Sequence, residues 1–193
     1  MNINYPIKKM KYNEEINYAH RGMSLENELN ESNKYYKAHN IALIYKKPTP
    51  VQIVKVDYPR RQKAVIREAY FQAPSTTDYN GIYRQKYIDF EAKEIASKTA
   101  FPLQNIHLHQ IQHIKQVISL GGIAFIIVRF THHNKTFLLD GSITVDLYEK
   151  FLQNGPKSIS IKLFLEKGME ITDKCITTID YLKVVDKLYF NEE

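Results

Sequence analysis

The longest uninterrupted apolar stretch of the chain runs from Leu120 to Val128, and from Ile123 to Phe130 only Arg129 is polar. It is bounded by Gly121-Gly122 and, on the other side, by His132-His133. A run of this length and continuity is too short to span a bilayer, and it has the character of a strand buried on both faces. Such a strand belongs inside a sheet covered by helices. The chain is 193 residues long, enough to bury a core as one domain without disulfides or structural metal. Its only cysteine, Cys175, excludes an internal disulfide framework and any cysteine-based zinc site. Lys8, Lys9 and Lys11 are followed by polar residues from Tyr12 to His20, so no signal-peptide core follows them and an intracellular, cytoplasmic protein is expected.

The remaining elements follow from periodicity and turn chemistry. Residues 1–20 are expected to form a loosely ordered basic arm. Ser24 is a good N-cap, Glu26 and Glu28 suit a first turn, and Leu25, Leu29, Ser32 and Tyr36 recur at helical spacing as far as about His39. Ile41 to Tyr45 reads as a short strand, ended by Lys46-Lys47-Pro48-Thr49-Pro50. Two β-rich runs, Val51 to Val56 and Ala64 to Phe71, flank Tyr58-Pro59-Arg60-Arg61-Gln62-Lys63 and predict a hairpin. Further strands are predicted over Ala73–Asp78, Tyr87–Glu94, Thr136–Thr144 and Ile159–Phe164. Helices are predicted over Gln104–Leu120, Val145–Gln153 and Asp180–Phe190, the last capped by Asp180. This order implies a mixed α/β sheet covered by helices.

Charge is distributed unevenly. The chain carries 27 Lys and Arg against 21 Asp and Glu, a formal surplus of +6. Between Lys46 and Arg67 lie seven basic residues (46, 47, 55, 60, 61, 63 and 67) and one acid, Asp57, so this window matches the whole surplus. The hairpin is either a solvated basic loop or a projecting element that meets phosphates.

Candidate chemistry centres on residues 87–93. Ile88, Phe90 and Ala92 face one way along this strand, whereas Asp89, Glu91 and Lys93 face the other. Glu91 and Lys93, with Asp78 from a neighbouring strand, are the minimal kit for metal-dependent phosphodiester cleavage. Carboxylates supply hard oxygen ligands to Mg²⁺, and the lysine stabilises developing charge or orients water. The same pattern also suits a solvent-facing strand with cross-strand ion pairs. Asn80-Gly81 is a good turn dipeptide, which would place Asp78 near Tyr83. Asp78 opposite Glu91 instead requires a turn between Arg84 and Gln85. A bulge or longer bend near Gly81 is therefore expected. Thr76 shares a face with Asp78 at period two. Gln110 lies on the otherwise apolar face of the following helix, where it is either a core amide satisfied by backbone or a member of the metal cluster. His107, His109 and His113 have no nearby acid to complete a zinc shell and read as partly exposed helix residues.

Taken together, these segments resemble the RecU family of Holliday-junction resolvases, dimeric nucleases with a restriction-endonuclease-like core. The similarity lies in His20-Arg21-Gly22-Met23-Ser24-Leu25-Glu26, Tyr58-Pro59-Arg60-Arg61, Ser75-Thr76-Thr77-Asp78-Tyr79-Asn80-Gly81, Ile88-Asp89-Phe90-Glu91-Ala92-Lys93-Glu94, Leu108-His109-Gln110-Ile111 and Gly121-Gly122-Ile123-Ala124-Phe125. The resemblance implies a single nuclease domain over 1–193 with a projecting hairpin stalk over 48–72. It implies an endonuclease using Mg²⁺, with Mn²⁺ as a substitute, that nicks two symmetric strands of a four-way junction during recombination and repair. By the family pattern Thr76, Asp78, Glu91 and Gln110 surround the metal, Asp78, Glu91 and Lys93 are catalytic, and Lys93 stabilises the transition state. Arg60, Arg61, Lys63 and Arg67 of the stalk would face DNA phosphates, and Glu26 would add or orient a ligand. A homodimer, contacts with the RecA recombinase and a branch-migration motor, and a nucleoid-associated location are also implied. The alternatives are a nuclease acting on linear duplex and a non-catalytic junction-binding or recombinase-modulating protein.

Overall fold

The computed structural model describes residues 24–58, 64–72, 76–172 and 179–191. At its centre, β7 (Ile123–Phe130) is buried as its sequence requires. It pairs in parallel with β5 (Lys86–Ile95) and antiparallel with β8 (Lys135–Asp140). Adding β4 (Tyr79–Tyr83), β1 (Leu43–Lys46) and β10 (Met169–Glu170) gives a six-stranded mixed sheet in the order β1-β4-β5-β7-β8-β10. The parallel step from β5 to β7 is bridged by α2 (Leu108–Ser119), as a parallel pair requires a crossover. Among the described residues no helix is long and apolar enough to cross a membrane.

Alternation along β7 divides the core in two. Ile123, Phe125 and Ile127 pack with Ile88 and Phe90 against α1 (Leu25–Ala38) and α5 (Tyr181–Tyr189). Ala124, Ile126 and Val128 pack on the opposite side with Ile111 and Ile114 of α2 and Val145 of α3 (Gly141–Leu152). The first layer is aromatic, Tyr79, Phe90 and Phe125 lying in a stack with successive centroids 4.8 and 4.9 Å apart. Helix α1 begins as its sequence predicts, with Ser24 Oγ accepting from Asn27 N–H, and buries Leu25, Leu29 and Tyr36. Each such side chain contributes roughly 1.5–3 kcal/mol by leaving water.

The hairpin of β2 (Val51–Asp57) and β3 (Val65–Phe71) forms a separate two-stranded sheet, and every side chain of β3 is exposed. Its tip, with Arg60, Arg61 and Lys63, lies outside the described residues, as do the 1–20 arm and Cys175. Arg67 does not stand alone on this surface: its Nε lies 2.6 Å from Asp57 Oδ2. Lys46 pairs with Glu26 at the surface (2.5 Å), whereas Lys47 is drawn inward to Asp89 (2.7 Å).

Several predicted boundaries move. Residues 76–78 are not strand; the strand begins at Tyr79. Asn80-Gly81 is not a turn and no bulge occurs there. The register from Tyr79↔Phe90 to Tyr83↔Lys86 centres the turn on Arg84-Gln85, both with positive φ (45° and 64°), as a two-residue hairpin turn demands. Gly81 instead lies beside β1 as the partner of Ile44, where an added Cβ would run into Leu43 O. The strand predicted over 136–144 stops at Asp140, whose carboxylate caps α3 by accepting from the Ser142 and Ile143 amides. Of 159–164 only Ser158–Ser160 is strand (β9), paired with β6 (Ala100–Pro102). Ser160 then caps α4 (Ile161–Lys167), because short apolar runs fit either period. The helix predicted from Gln104 starts at Leu108, after a 3₁₀ turn over Leu103–Asn105. Asp180 occupies the N-cap position of α5 without a capping bond, its carboxylate accepting from Tyr36 O–H at 2.8 Å. Gly81→Ala is expected to destabilise the protein by about 2–3 kcal/mol by displacing β1 from β4. Denaturant unfolding checks this, and an unchanged midpoint would contradict it.

Candidate active site

In the parallel register Asp89 pairs with Ala124, Glu91 with Ile126 and Lys93 with Val128, so all six side chains share one face of the sheet. On β7 that face is core; on β5 it carries three charged groups. Asp89 and Glu91 are fully buried. A buried carboxylate is costly unless it is paired or solvated by donors, so each requires an account.

Glu91 meets Asp78 as the Arg84-Gln85 turn dictates, one step beyond the Tyr79↔Phe90 pair. The Asp78 amide donates to Glu91 Oε2 at 3.1 Å, and Asp78 Oδ2 accepts from the Ala92 amide at 3.5 Å. Glu91 Oε1 lies 2.6 Å from Lys93 Nζ, but it is buried without an aligned hydrogen bond. Burial first, and then the negative charge of Asp78, raise the Glu91 carboxyl from 4.5 to about 7, and Lys93 opposes the rise. Asp78 also lines a cleft of about 230 Å³ with Ser24, Leu25, Glu26, Tyr79, Ala92 and Glu94. Glu26 is thus brought beside Asp78, with Lys46 as its ion-pair partner.

The other expected residues are placed less simply. The Thr76 hydroxyl donates to Thr77 O at 3.4 Å, not to either carboxylate. Gln110 is buried, as its helix face predicts, and its Oε1 accepts from the His107 amide at 2.9 Å, closing a capping box at the start of α2. His109 stacks on His107 and holds a buried Nε2 without a partner. Burial, His107 and Lys93 push its pKa down.

Among the described residues no three His, Cys, Asp or Glu side chains converge as a complete metal shell. What is present is a carboxylate pair in which Glu91, its proton affinity raised, keeps one buried oxygen against the Lys93 ammonium without an aligned hydrogen bond. That donor set fits a hard divalent cation of the Mg²⁺ type, which keeps several waters and takes one or two carboxylates from protein. Because the folded Glu91 carboxyl binds its proton more tightly than the unfolded one, its contribution to stability is complete below about pH 4.5 and lost as pH rises to about 7. For metal-free protein, Glu91→Gln is expected to remove this downward slope in denaturant unfolding measured across that window. An identical slope in the variant would contradict it.

Comparison with known proteins places these features in a family. The family model described as Recombination protein U matches residues 20–187. The chain is 52% identical to the Holliday junction resolvase RecU of Bacillus cytotoxicus, over 99% of this chain and all of that one. It is 54% identical to the Holliday junction resolvase RecU of Bacillus cereus strain AH820, over 96% of this chain and 90% of the relative. A solved structure of Hjc, a Holliday junction resolvase of Archaeoglobus fulgidus, aligns over 74% of this chain and 95% of its own with a TM-score of 0.41 and 9% identity. That likeness is too slight to carry an argument. The chain belongs to the RecU family.

Proposed function

We propose that this chain is a divalent-metal-dependent endonuclease that resolves four-way DNA junctions by paired symmetric nicks in recombination and repair. The observation that carries this reading is the meeting of Asp78 with the buried Glu91, whose Oε1 is ion-paired with Lys93 at 2.6 Å without an aligned hydrogen bond. Asp78 and Glu91 hold Mg²⁺, or Mn²⁺ in its place. When bound, the cation supplies Lewis acidity toward a phosphoryl oxygen and lowers the pKa of water. Lys93 Nζ orients the attacking water and stabilises the charge that grows on the phosphoryl oxygens. Water forms the new P–O bond as the bond to the leaving deoxyribose oxygen breaks, and the proton that water gives up balances the one taken up by that oxygen. Thr76 and Gln110 complete the set. Gln110 Oε1 retains a second lone pair beyond the one used by His107, so capping does not remove it as a donor.

Two incisions related by the symmetry of a junction need two sites related by the same symmetry, so the working assembly is a C2 homodimer. The β2–β3 hairpin is the stalk: an isolated two-stranded ribbon is marginal in water, and this one exposes Ile53, Val65, Ile66, Tyr70 and Phe71. Its basic tip, with Arg60, Arg61 and Lys63, meets phosphates, together with Arg67 near the tip end of β3. The protein acts in the cytoplasm at the nucleoid, alongside the RecA recombinase and a branch-migration motor.

With a labelled four-way junction and Mg²⁺, paired symmetric nicks are expected that are absent from a matched linear duplex. Lys93→Ala and Glu91→Ala should lower the rate by about 10²-fold or more while junction binding persists. Wild-type cleavage by Lys93→Ala would sink the catalytic assignment. Charge reversal at Arg60 and Arg61 should weaken junction binding and flatten its salt dependence, by about one slope unit for each phosphate no longer neutralised. Equal affinity at two salt concentrations would contradict the stalk's role.

A further inference from the structure

Asp89 takes no part in the mechanism above, yet it is fully buried and its carboxylate collects four donors from four places in the chain. Lys47 Nζ (2.7 Å), Tyr87 O–H (2.8 Å) and His113 Nε2 (3.0 Å) all reach Oδ2. The Thr77 hydroxyl donates to Oδ1, and Lys47 Nζ also donates to Thr77 Oγ1 at 3.0 Å. This is close to the full acceptor capacity of a carboxylate, which offsets the penalty of burying it.

The geometry of residues 76–78 gives the cluster its consequence. They belong to no strand, so no ladder holds Asp78 in register. Its main chain is held by two bonds instead, the carbonyl accepting from the Lys47 amide at 2.7 Å and the amide donating to Glu91 Oε2 at 3.1 Å, while its carboxylate has a longer contact, accepting from the Ala92 amide at 3.5 Å. Thr77, itself buried, precedes it and is tied by its side chain to Asp89. Lys47 therefore grips the segment twice, once by its amide at Asp78 and once by its ammonium at Thr77 and Asp89. We infer that Asp89, acting through Thr77 and Lys47, is a positioning residue that fixes the Asp78 carboxylate against Glu91 and so preorganises the metal-holding pair. The inference rests on the reading of Asp78 and Glu91 as that pair. Groups that orient ligands in this way typically change metal affinity 10–100-fold when removed, without touching the metal.

The test uses full-length protein with Thr77→Val and Asp89→Asn, both close in shape to the wild type, and two readouts. Amide hydrogen exchange at Lys47 and Asp78 should accelerate about tenfold or more in both variants, while the Ile126 amide of β7 keeps its wild-type rate. Mn²⁺ affinity, read from the free-ion electron paramagnetic resonance signal, should fall by about tenfold, whereas Glu91→Ala abolishes binding. Unchanged exchange and Mn²⁺ affinity in Thr77→Val overturn the inference even if wild type binds Mn²⁺ and the metal reading survives. Equal acceleration at Ile126 also overturns it, because the effect is then global. Should Asp89→Asn fail to fold, Thr77→Val decides alone. Local acceleration in a wild-type background that binds no Mn²⁺ upholds the positioning and defeats the metal reading instead.

Discussion

Two carboxylates buried on a sheet face that is otherwise core set the terms for everything around them. On β7 the face toward α2 carries Ala124, Ile126 and Val128; one strand over, in register, β5 carries Asp89, Glu91 and Lys93. Neither acid can remain there without partners. Asp89 is fully provided for, by donors from the end of β1, the approach to β4, β5 itself and α2. Glu91 is provided for only in part, with one oxygen on the Asp78 amide and the other facing Lys93 without an aligned bond. The difference separates their roles. A fully hydrogen-bonded buried acid holds structure, whereas burial and the neighbouring Asp78 charge raise the proton affinity of Glu91.

The surrounding fold serves that arrangement. The α1 and α5 layer stacks Tyr79, Phe90 and Phe125 behind β4, β5 and β7, which fixes the strands that carry Asp78 and Glu91 from the opposite face. The Arg84-Gln85 turn sets the register. Arg84 is itself held by Asp186 of α5 (3.3 Å) and lies over the rings of Tyr83 and Phe190. A one-residue slip would turn every side chain of one strand to the other face and part Asp78 from Glu91. Gly81 allows β1 to approach β4 closely, and β1 delivers Lys46 and Lys47 to Glu26 and Asp89. Of the basic residues of the 46–67 window, Lys47 is thereby drawn inside, whereas Lys46 pairs with Glu26 at the surface.

Some features were legible because their cause is local. Continuous apolar character marked β7, period two marked the two faces of β5, and Ser24 marked the start of α1. The Asp78–Glu91 pairing was one of two registers open to the sequence. Asn-Gly was a misleading signal, since glycine permits both a turn and a close backbone approach and only the neighbouring strand distinguishes them. Asp89 was visible on the same face as Glu91, but nothing nearby in sequence named Lys47, Thr77 or His113 as its partners.

By itself the sequence determined the apolar faces that must be inside, where α1, β2, β7 and α5 begin, and that Asp89, Glu91 and Lys93 share a face. These follow from periodicity, capping and apolar content, which act over a few residues. Only the tertiary structure decided that Lys47 turns inward to Asp89 rather than toward solvent, and that Glu91 is buried against Asp78 rather than left at the surface. The reason is range. Hydrogen bonds and burial are settled by groups distant in sequence, such as Lys47 and Asp89, which chain folding alone brings within 2.7 Å.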